Sequence, residues 1–181
     1  MFSDITRLRR SQEQLQLMAH YDSLTGLANR SLIMQRLEHA LQQCQLSGQP
    51  LSVLYIDLDR FKAINDSLGH AVGDQVLIEA SRRLQRCVSA DHLLARLGGD
   101  EFLLLVPNLA AADVVALGQA ICAEMRQPIV VADGRELYAG ASIGFACFPE
   151  HAKSAVDLVR NADAAMDTAK SRGRDQVCGY T

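Results

Sequence analysis

Residues 92–106 read HLLARLGGDEFLLLV, two short apolar runs parted only by Gly98, Gly99 and Asp100. Adjacent glycines between apolar runs predict a tight hairpin, because such turns need positive φ. Pro107 closes the second run. Upstream, LSVLYID (51–57) is a continuous apolar run of strand formers and predicts a buried central strand. Between them the polar, turn-rich FKAINDSLGHAVGD (61–74) leads into a helix with Val76, Leu77, Ala80 and Leu84 on one face, ending near Cys87. Downstream, residues 110–126 predict a helix and ELYAGASIGFACF (136–148) a strand of alternating character. SAVDLVRNADAAMDTAKSRG (154–173) predicts a helix opened by a capping box of Ser154 and Asp157 and stopped at Gly173. QVCGY (176–180) reads as a final edge strand. From residue 51 the order strand, helix, strand, strand, helix, strand predicts an α+β, ferredoxin-like βαββαβ fold with a palm-type central antiparallel sheet flanked by helices.

An extra N-terminal helix is expected over DITRLRRSQEQLQLMAH (4–20), where Ile5, Leu8, Leu15 and Met18 fall at mostly helical spacing. Its heptad support for a coiled coil is broken by Gln12. YDSLTGLANR (21–30) then interrupts the helix with Asp22, Ser23 and Gly26, and Asn29 is the predicted N-cap of RSLIMQRLEHALQQC (30–44), which ends at the SGQP loop (47–50).

The chain has 181 residues, 49% hydrophobic and 22% charged, so one domain burying roughly 70% of its unfolded surface is expected. A formal net charge of −3 argues against nucleic-acid coating and against direct membrane contact through a polybasic anchor. The five cysteines (Cys44, Cys87, Cys122, Cys147, Cys178) are odd in number and never in a Cys-x-x-Cys pair, which predicts buried free thiols and neither zinc nor a disulfide framework. No apolar run approaches the roughly 20 residues of a membrane span and the N-terminus lacks a signal-peptide apolar region. The expectation is a cytoplasmic chain, or the cytoplasmic part of a larger membrane-bound protein.

In the predicted fold the end of the first strand lies beside the start of the third, bringing Asp57 near Asp100 and Glu101. Like charges about 4 Å apart repel by about 4 kcal/mol at an effective dielectric near 20. A hard divalent cation, which takes carboxylate and carbonyl oxygens together with substrate phosphates, removes that cost. Equally, Asp57 could cap a loop and Asp100 serve the turn, and spacing does not choose between these. Only three of the eighteen basic residues are lysines, and two of them flank this region. Lys62 lies five residues beyond Asp57 in the predicted turn, and Lys170 ends the last helix with Arg174 four residues later. Each would suit a phosphate, although solvated surface charge is the commoner use. Asn65 and Asp74 bracket the loop between them. An aspartate can accept from the adjacent N–H donors of a guanine edge while an asparagine amide serves the remaining positions, but both residues are also common in turns and caps. His70 in the same loop reads as structural.

RLGGDEF (96–102), YIDLDRFKAINDSLGHAVGD (55–74), DSLTGLANR (22–30) and NADAAMDTAKSRGRD (161–175) together resemble the GGDEF-domain family of diguanylate cyclases, with four motifs in the family's order and spacing over residues 20–175. The resemblance implies condensation of two GTP molecules into cyclic di-GMP with release of two pyrophosphates, at the interface of two such domains in a transient homodimer. It implies two Mg2+ ions per GTP, with Mn2+ as the alternative. Carried over, Asp57, Asp100 and the Leu58 carbonyl match the metal ligands, and Glu101 the acid that serves the second metal or activates the attacking 3′-hydroxyl. Asn65 and Asp74 match the guanine-binding pair, Lys62, Lys170 and Arg174 the triphosphate contacts, and Gly98 and Gly99 the glycines against which the nucleotide lies.

The ends carry further resemblances. FSDITRLRRSQEQL is similar to the segment leaving a PAS sensor domain, and GRDQVCGYT to the start of a linker toward an EAL phosphodiesterase domain. The implied division is a signalling helix over 1–20, the GGDEF domain over 21–176 and the start of a C-terminal linker over 177–181. In such composites the domain can instead be a catalytically weak GTP-binding module that regulates the attached EAL domain. Two positions depart from the family's last motifs: Asp167 stands for the usual tyrosine and Asp175 for the usual asparagine, each adding negative charge near the phosphate contacts. The product-inhibition motif Arg-x-x-Asp, nine and six residues before the first signature glycine, is replaced by Ser89 and His92. Cyclic di-GMP is therefore expected not to bind tightly at that position. Submicromolar binding, by calorimetry, that is lost on changing residues 89–92 would overturn this expectation.

Overall fold

The structure, a computed structural model, describes residues 2–181. It runs α1 (Phe2–His20), α2 (Arg30–Ser47), β1 (Leu51–Leu58), α3 (Phe61–Leu68), α4 (His70–Cys87), β2 (Leu93–Gly98), β3 (Glu101–Pro107), α5 (Ala111–Met125), β4 (Ile129–Val130), β5 (Glu136–Leu137), β6 (Ala141–Phe148), α6 (Ala155–Ser171) and β7 (Val177–Gly179). Five strands form one sheet in the order β2-β3-β1-β6-β7, and β4 and β5 form a separate small hairpin. The α+β fold, its βαββαβ order, the helices on both faces and the N-terminal helix are as expected. The sheet is mixed, however, because β7 pairs parallel to β6, while each neighbouring pair in the run β2-β3-β1-β6 is antiparallel. Val177–Gly179 therefore belongs to the sheet.

β1 is buried along its whole length, and the pleat divides its side chains between two cores. Leu54, Ile56 and Leu58 pack with Val76, Leu77 and Ile121 of α4 and α5; Leu51, Val53 and Tyr55 pack with Leu37 of α2 and Leu158 and Met166 of α6. Covering both faces removes the alternation that one solvated face would impose, and the same holds for β6, whose eight residues are all buried rather than alternating. Helix α6 lies so close to β6 that a Cβ added at Gly144 would meet the Met166 nitrogen at 2.0 Å and the Ala162 oxygen at 2.2 Å.

Two further readings of the sequence are corrected. FKAINDSLGHAVGD is helical, as α3 and the start of α4, and the chain turns only at Gly69, where φ is 90°. The turn-forming Asp66 and Ser67 sit on the exposed side of α3, where helix tolerates them. ELYAGASIGFACF is divided, with Tyr138–Gly140 separating β5 from β6. Both N-caps are as read, with Asn29 accepting from the Leu32 N–H and Ser154 from the Asp157 N–H, but the reciprocal half of the expected capping box is replaced by an ion pair of the Asp157 carboxylate with Arg160 one turn on.

A buried guanidinium ties α4 to the end of α5, where Arg83 donates to the carbonyls of Glu124 (3.3 Å) in the last turn of α5 and of Gln127 (2.6 Å) and Pro128 (2.7 Å) just beyond it. All five cysteines are free; four are buried and Cys87 is half-buried, and burial pushes the Cys122 thiol up to about 12. No described helix is long and apolar enough to cross a membrane. Helix α1 projects Ile5, Leu8, Leu15 and Met18 into solvent. Gly144→Ala is expected to force α6 off the sheet at a cost of about 3 kcal/mol, read in thermal unfolding as a midpoint roughly 6–12 °C lower. An unchanged midpoint would contradict the close packing of α6.

Candidate active site

The site forms at the C-terminal end of β1. In the β1–β3 ladder Asp57 lies directly opposite Glu101, and the Leu58 N–H donates to the Asp100 carbonyl at 3.2 Å. Odd-numbered residues of both strands face α6, so Asp57 and Glu101 share that face with Lys170. The Lys170 ammonium is in direct contact with Asp57 Oδ2. A cleft of about 250 Å3 is lined by Asp57, Leu58, Arg60, Phe61, Lys62, Asp100, Lys170 and Arg174. The structure thus gathers six of the sequence-predicted residues in one place. Lys62, expected in a turn, stands in the first turn of α3.

Asp57 is 4% exposed, and its Oδ1 is buried without a hydrogen-bond partner. Burial first, and then the hydrogen bond and charge of Asp100, push its carboxyl up to about 6 against the opposing pull of Lys170. Burial alone would lower the Lys170 ammonium, but the hydrogen bond and charge of Asp57 outweigh this and raise it. An orphaned acceptor on a buried carboxylate, beside a second carboxylate, is a donor set of hard oxygens that fits a divalent cation. Among the described residues, no group of three or more His, Cys, Asp or Glu side chains forms a complete metal cage. A cation here would therefore complete its shell with carbonyl, ligand and water oxygens.

Glu101 stands outside the cleft lining and is held by the Tyr55 hydroxyl, which donates to Oε2 at 2.6 Å. Burial, with the hydrogen bond and charge of Glu101, raises the Tyr55 phenol and keeps it a neutral donor. The hairpin tip depends on positive φ at Gly98 (141°) and Gly99 (50°), where an L side chain would be strained. Arg96 clamps it, donating to the Gly99 carbonyl at 2.9 and 3.1 Å and pairing with Asp22 at 2.9 Å. Asp22 in turn accepts from the Thr25 N–H and hydroxyl, so the DSLTGLANR segment braces the hairpin that carries Asp100.

Asn65 and Asp74 lie apart from the cleft lining. Asn65 packs against α4 so closely that a Cβ at Gly73 would fall 1.8 Å from its Oδ1, an oxygen that is buried and unpartnered. Asp74, the next residue, is exposed. His70 is exposed at the start of α4.

Sequence reasoning missed three contributors. Tyr55 was hidden in an apolar strand, Arg96 in the hairpin, and Asp59 two residues after Asp57. Asp59 is 3% exposed, accepting from the Ser142 hydroxyl (2.6 Å) and the Asp175 N–H (3.0 Å). The alternation of acids in IDLDR was the available signal. Residues Arg174 and Asp175 are consecutively left-handed (φ 65° and 49°), which costs L residues about 1–2 kcal/mol each.

Because the Asp57 carboxyl titrates above its ordinary value, the folded state holds its proton longer, and Asp57 costs stability as pH rises from about 4 to about 6. Lys170 offsets that cost. Without divalent cations, Lys170→Ala is expected to lose about 2 kcal/mol at pH 8, a buried-pair value discounted for the partly exposed lysine, and much less at pH 5, where Asp57 takes a proton. Equal losses in thermal unfolding at the two pH values would sink this account.

Residues 19–176 match the family described as diguanylate cyclase, GGDEF domain. The chain is 40% identical over 179 residues to the cyclic di-GMP phosphodiesterase PdeR of Escherichia coli and 43% identical over 169 residues to the diguanylate cyclase TpbB of Pseudomonas aeruginosa. These alignments cover 99% and 93% of the chain but only 27% and 39% of the relatives. A solved structure comprising only the TpbB GGDEF domain superposes with a TM-score of 0.87 at 42% identity, covering 90% of this chain and 95% of that one. The coiled coil and GGDEF domain of DgcB from Caulobacter crescentus, solved in complex with c-di-GMP, gives 0.89 at 30% identity over 98% and 94% of the two chains. By the match over residues 19–176 and these likenesses in sequence and shape, the chain belongs to the diguanylate cyclase GGDEF-domain family.

Proposed function

We propose that this domain condenses two GTP molecules into cyclic di-GMP, releasing two pyrophosphates, at the interface of two copies that each hold one GTP. The observation that carries the reading is the orphaned Asp57 oxygen beside Asp100, in a cleft lined by four cationic side chains. Asp57, the Leu58 carbonyl, Asp100 and Glu101 would hold Mg2+, or Mn2+ in its place, two ions per GTP. Such cations would neutralise the carboxylates and the developing charge on phosphate oxygens.

The protein's own groups do the positioning. Lys62, Lys170 and Arg174 hold the triphosphate, and Lys170, in contact with Asp57, lies where it would turn to a phosphate oxygen were a cation bound at that carboxylate. Asn65 Oδ1 gains the donor it lacks from a guanine N–H, while the exposed Asp74 carboxylate accepts from the remaining N–H donors of that edge. Gly98 and Gly99 present bare backbone to the nucleotide. The 3′-oxygen of one GTP attacks the α-phosphorus of the other in line, the bond to pyrophosphate breaks, and Glu101, held by Tyr55, takes the hydroxyl proton. Phosphoryl transfer of this kind is governed by alignment and charge neutralisation, which groups held on the ends of the central strands can supply.

The second reading is a catalytically weak GTP-binding module that regulates an attached phosphodiesterase domain. It is favoured by the likeness to PdeR, whose name is that of a phosphodiesterase. Incubation of the purified chain with GTP and Mg2+, followed by chromatography and mass analysis, separates the two. Cyclic di-GMP is the expected product; GTP binding with no product, even at high concentration or in a forced dimer, would sink the cyclase reading. For the base contacts, Asp74→Ala is expected to weaken GTP at least tenfold while barely changing ATP. Equal losses for both nucleotides would remove Asp74 from base recognition.

A further inference from the structure

Asp59 has no place in the chemistry above, yet it is one of the most buried charges in the chain, at 3% exposure. It lies immediately after β1, where its N–H donates to the Gly140 carbonyl at 2.8 Å. Oδ1 takes the Ser142 hydroxyl at 2.6 Å and stands 3.9 Å from the Arg174 guanidinium; Oδ2 takes the Asp175 N–H at 3.0 Å. A Cβ at Gly140 would lie 3.0 Å from Oδ2, so the approach of the three segments admits little beyond glycine there. From outside, Arg126 closes on the Asp175 carboxylate at 2.7 Å.

The geometry matters because helix α6 ends at Ser171, before Arg174. Lys170 is placed by regular helix, whereas Arg174 lies past its end, tied to it only by its N–H on the Ala169 carbonyl at 3.0 Å, in a loop in which it and Asp175 are both left-handed. A loop held in an unfavourable conformation needs an outside partner, and the buried Asp59 carboxylate supplies one through the Asp175 N–H. We propose that Asp59 is a positioning residue for triphosphate binding, acting through the 174–175 loop to aim the Arg174 guanidinium into the cleft. The inference rests on the reading of Arg174 as a phosphate contact.

The sign of the effect separates this role from simple electrostatics. Removing a negative charge beside a phosphate site should tighten an anion, whereas loss of positioning should loosen it. The probes are the α,β-methylene analogue of GTP, which cannot release pyrophosphate, and GMP, both measured by calorimetry with Mg2+. Asp59→Asn is expected to weaken the triphosphate analogue about tenfold and GMP less than twofold. In an Arg174→Ala background, Asp59→Asn should add less than twofold, because the group it works through is gone. Analogue binding as tight as in the parent, equal losses for analogue and GMP, or full additivity with Arg174→Ala would each overturn the proposal. If Asp59→Asn does not fold, Ser142→Ala keeps the charge and removes one hydrogen bond; a loss of about threefold confined to the analogue is expected, and parental affinity overturns the proposal. Lys170→Ala serves as the control for the site itself. Should it leave analogue binding unchanged, the triphosphate reading fails and the proposal with it; a loss in Lys170→Ala without one in Asp59→Asn rejects only the role of Asp59.

Discussion

Two carboxylates buried two residues apart at the end of β1 set the terms for the rest of the molecule. Asp57 and Asp59 are 4% and 3% exposed, and a buried charge is tolerated only where partners and hydrogen bonds replace the water it has lost. Each draws on a different segment. Asp57 is met by Lys170 from α6, whereas Asp59 is met by Ser142 at the start of β6 and by the 174–175 loop. The β1–β6 ladder, the docking of α6 and the turn after it are therefore all fixed against one strand end. Asp59 is satisfied by these contacts. Asp57 keeps an oxygen without a partner, and that difference marks Asp57 as the one with a position open to a further ligand.

The hairpin between β2 and β3 depends on the same strand end from the other side. Its position follows from the register that sets Asp57 against Glu101, and its shape from Gly98, Gly99 and the Arg96 clamp. Arg96 is half-buried between the Gly99 carbonyl and Asp22, whose carboxyl is held below the usual range: burial opposes this, but hydrogen bonds from Thr25 and the charge of Arg96 prevail. Because Asp22 lies in the turn just after α1, the α1–α2 junction and the carboxylate-bearing hairpin share one ion pair.

Much of this was legible in the sequence because it rests on local rules. Paired glycines specify the hairpin, an unbroken apolar run specifies a strand covered on both faces, and element order specifies which strands meet. Those three readings sufficed to bring Asp57, Asp100 and Glu101 together. What was not legible depends on tertiary cover. The 61–74 segment carries turn formers, yet most of it is helix, because Phe61, Ile64 and Val72 find a core to pack against. Only Gly69 interrupts it. The edge pairing of β7 was foreseen but not its direction, which follows from the α6 crossover and makes the sheet mixed. The alternating acids of IDLDR mark Asp59 but not its role, because its partners are a backbone N–H and a serine more than eighty residues away, and neither leaves a signature in composition or periodicity.

Net charge is a poor guide to such a site, and the cleft shows why. The chain carries a formal −3, yet the cleft lining sets Arg60, Lys62, Lys170 and Arg174 against Asp57 and Asp100. The field at a concave, partly desolvated surface follows the nearest charges, since exposed charges beyond about 8–10 Å are screened by salt. Two of only three lysines in the chain fall within that radius of influence by virtue of the fold alone. In the absence of a cation, Lys170 is drawn to Asp57, so one of the four cations is engaged by the site's own acid. Under the proposed function, the balance that an incoming triphosphate would meet is coupled to what occupies the orphaned side of Asp57: a divalent cation there would release Lys170 and add its own charge. Cation and nucleotide would then favour one another through a single carboxylate, without any movement of the sheet that carries it.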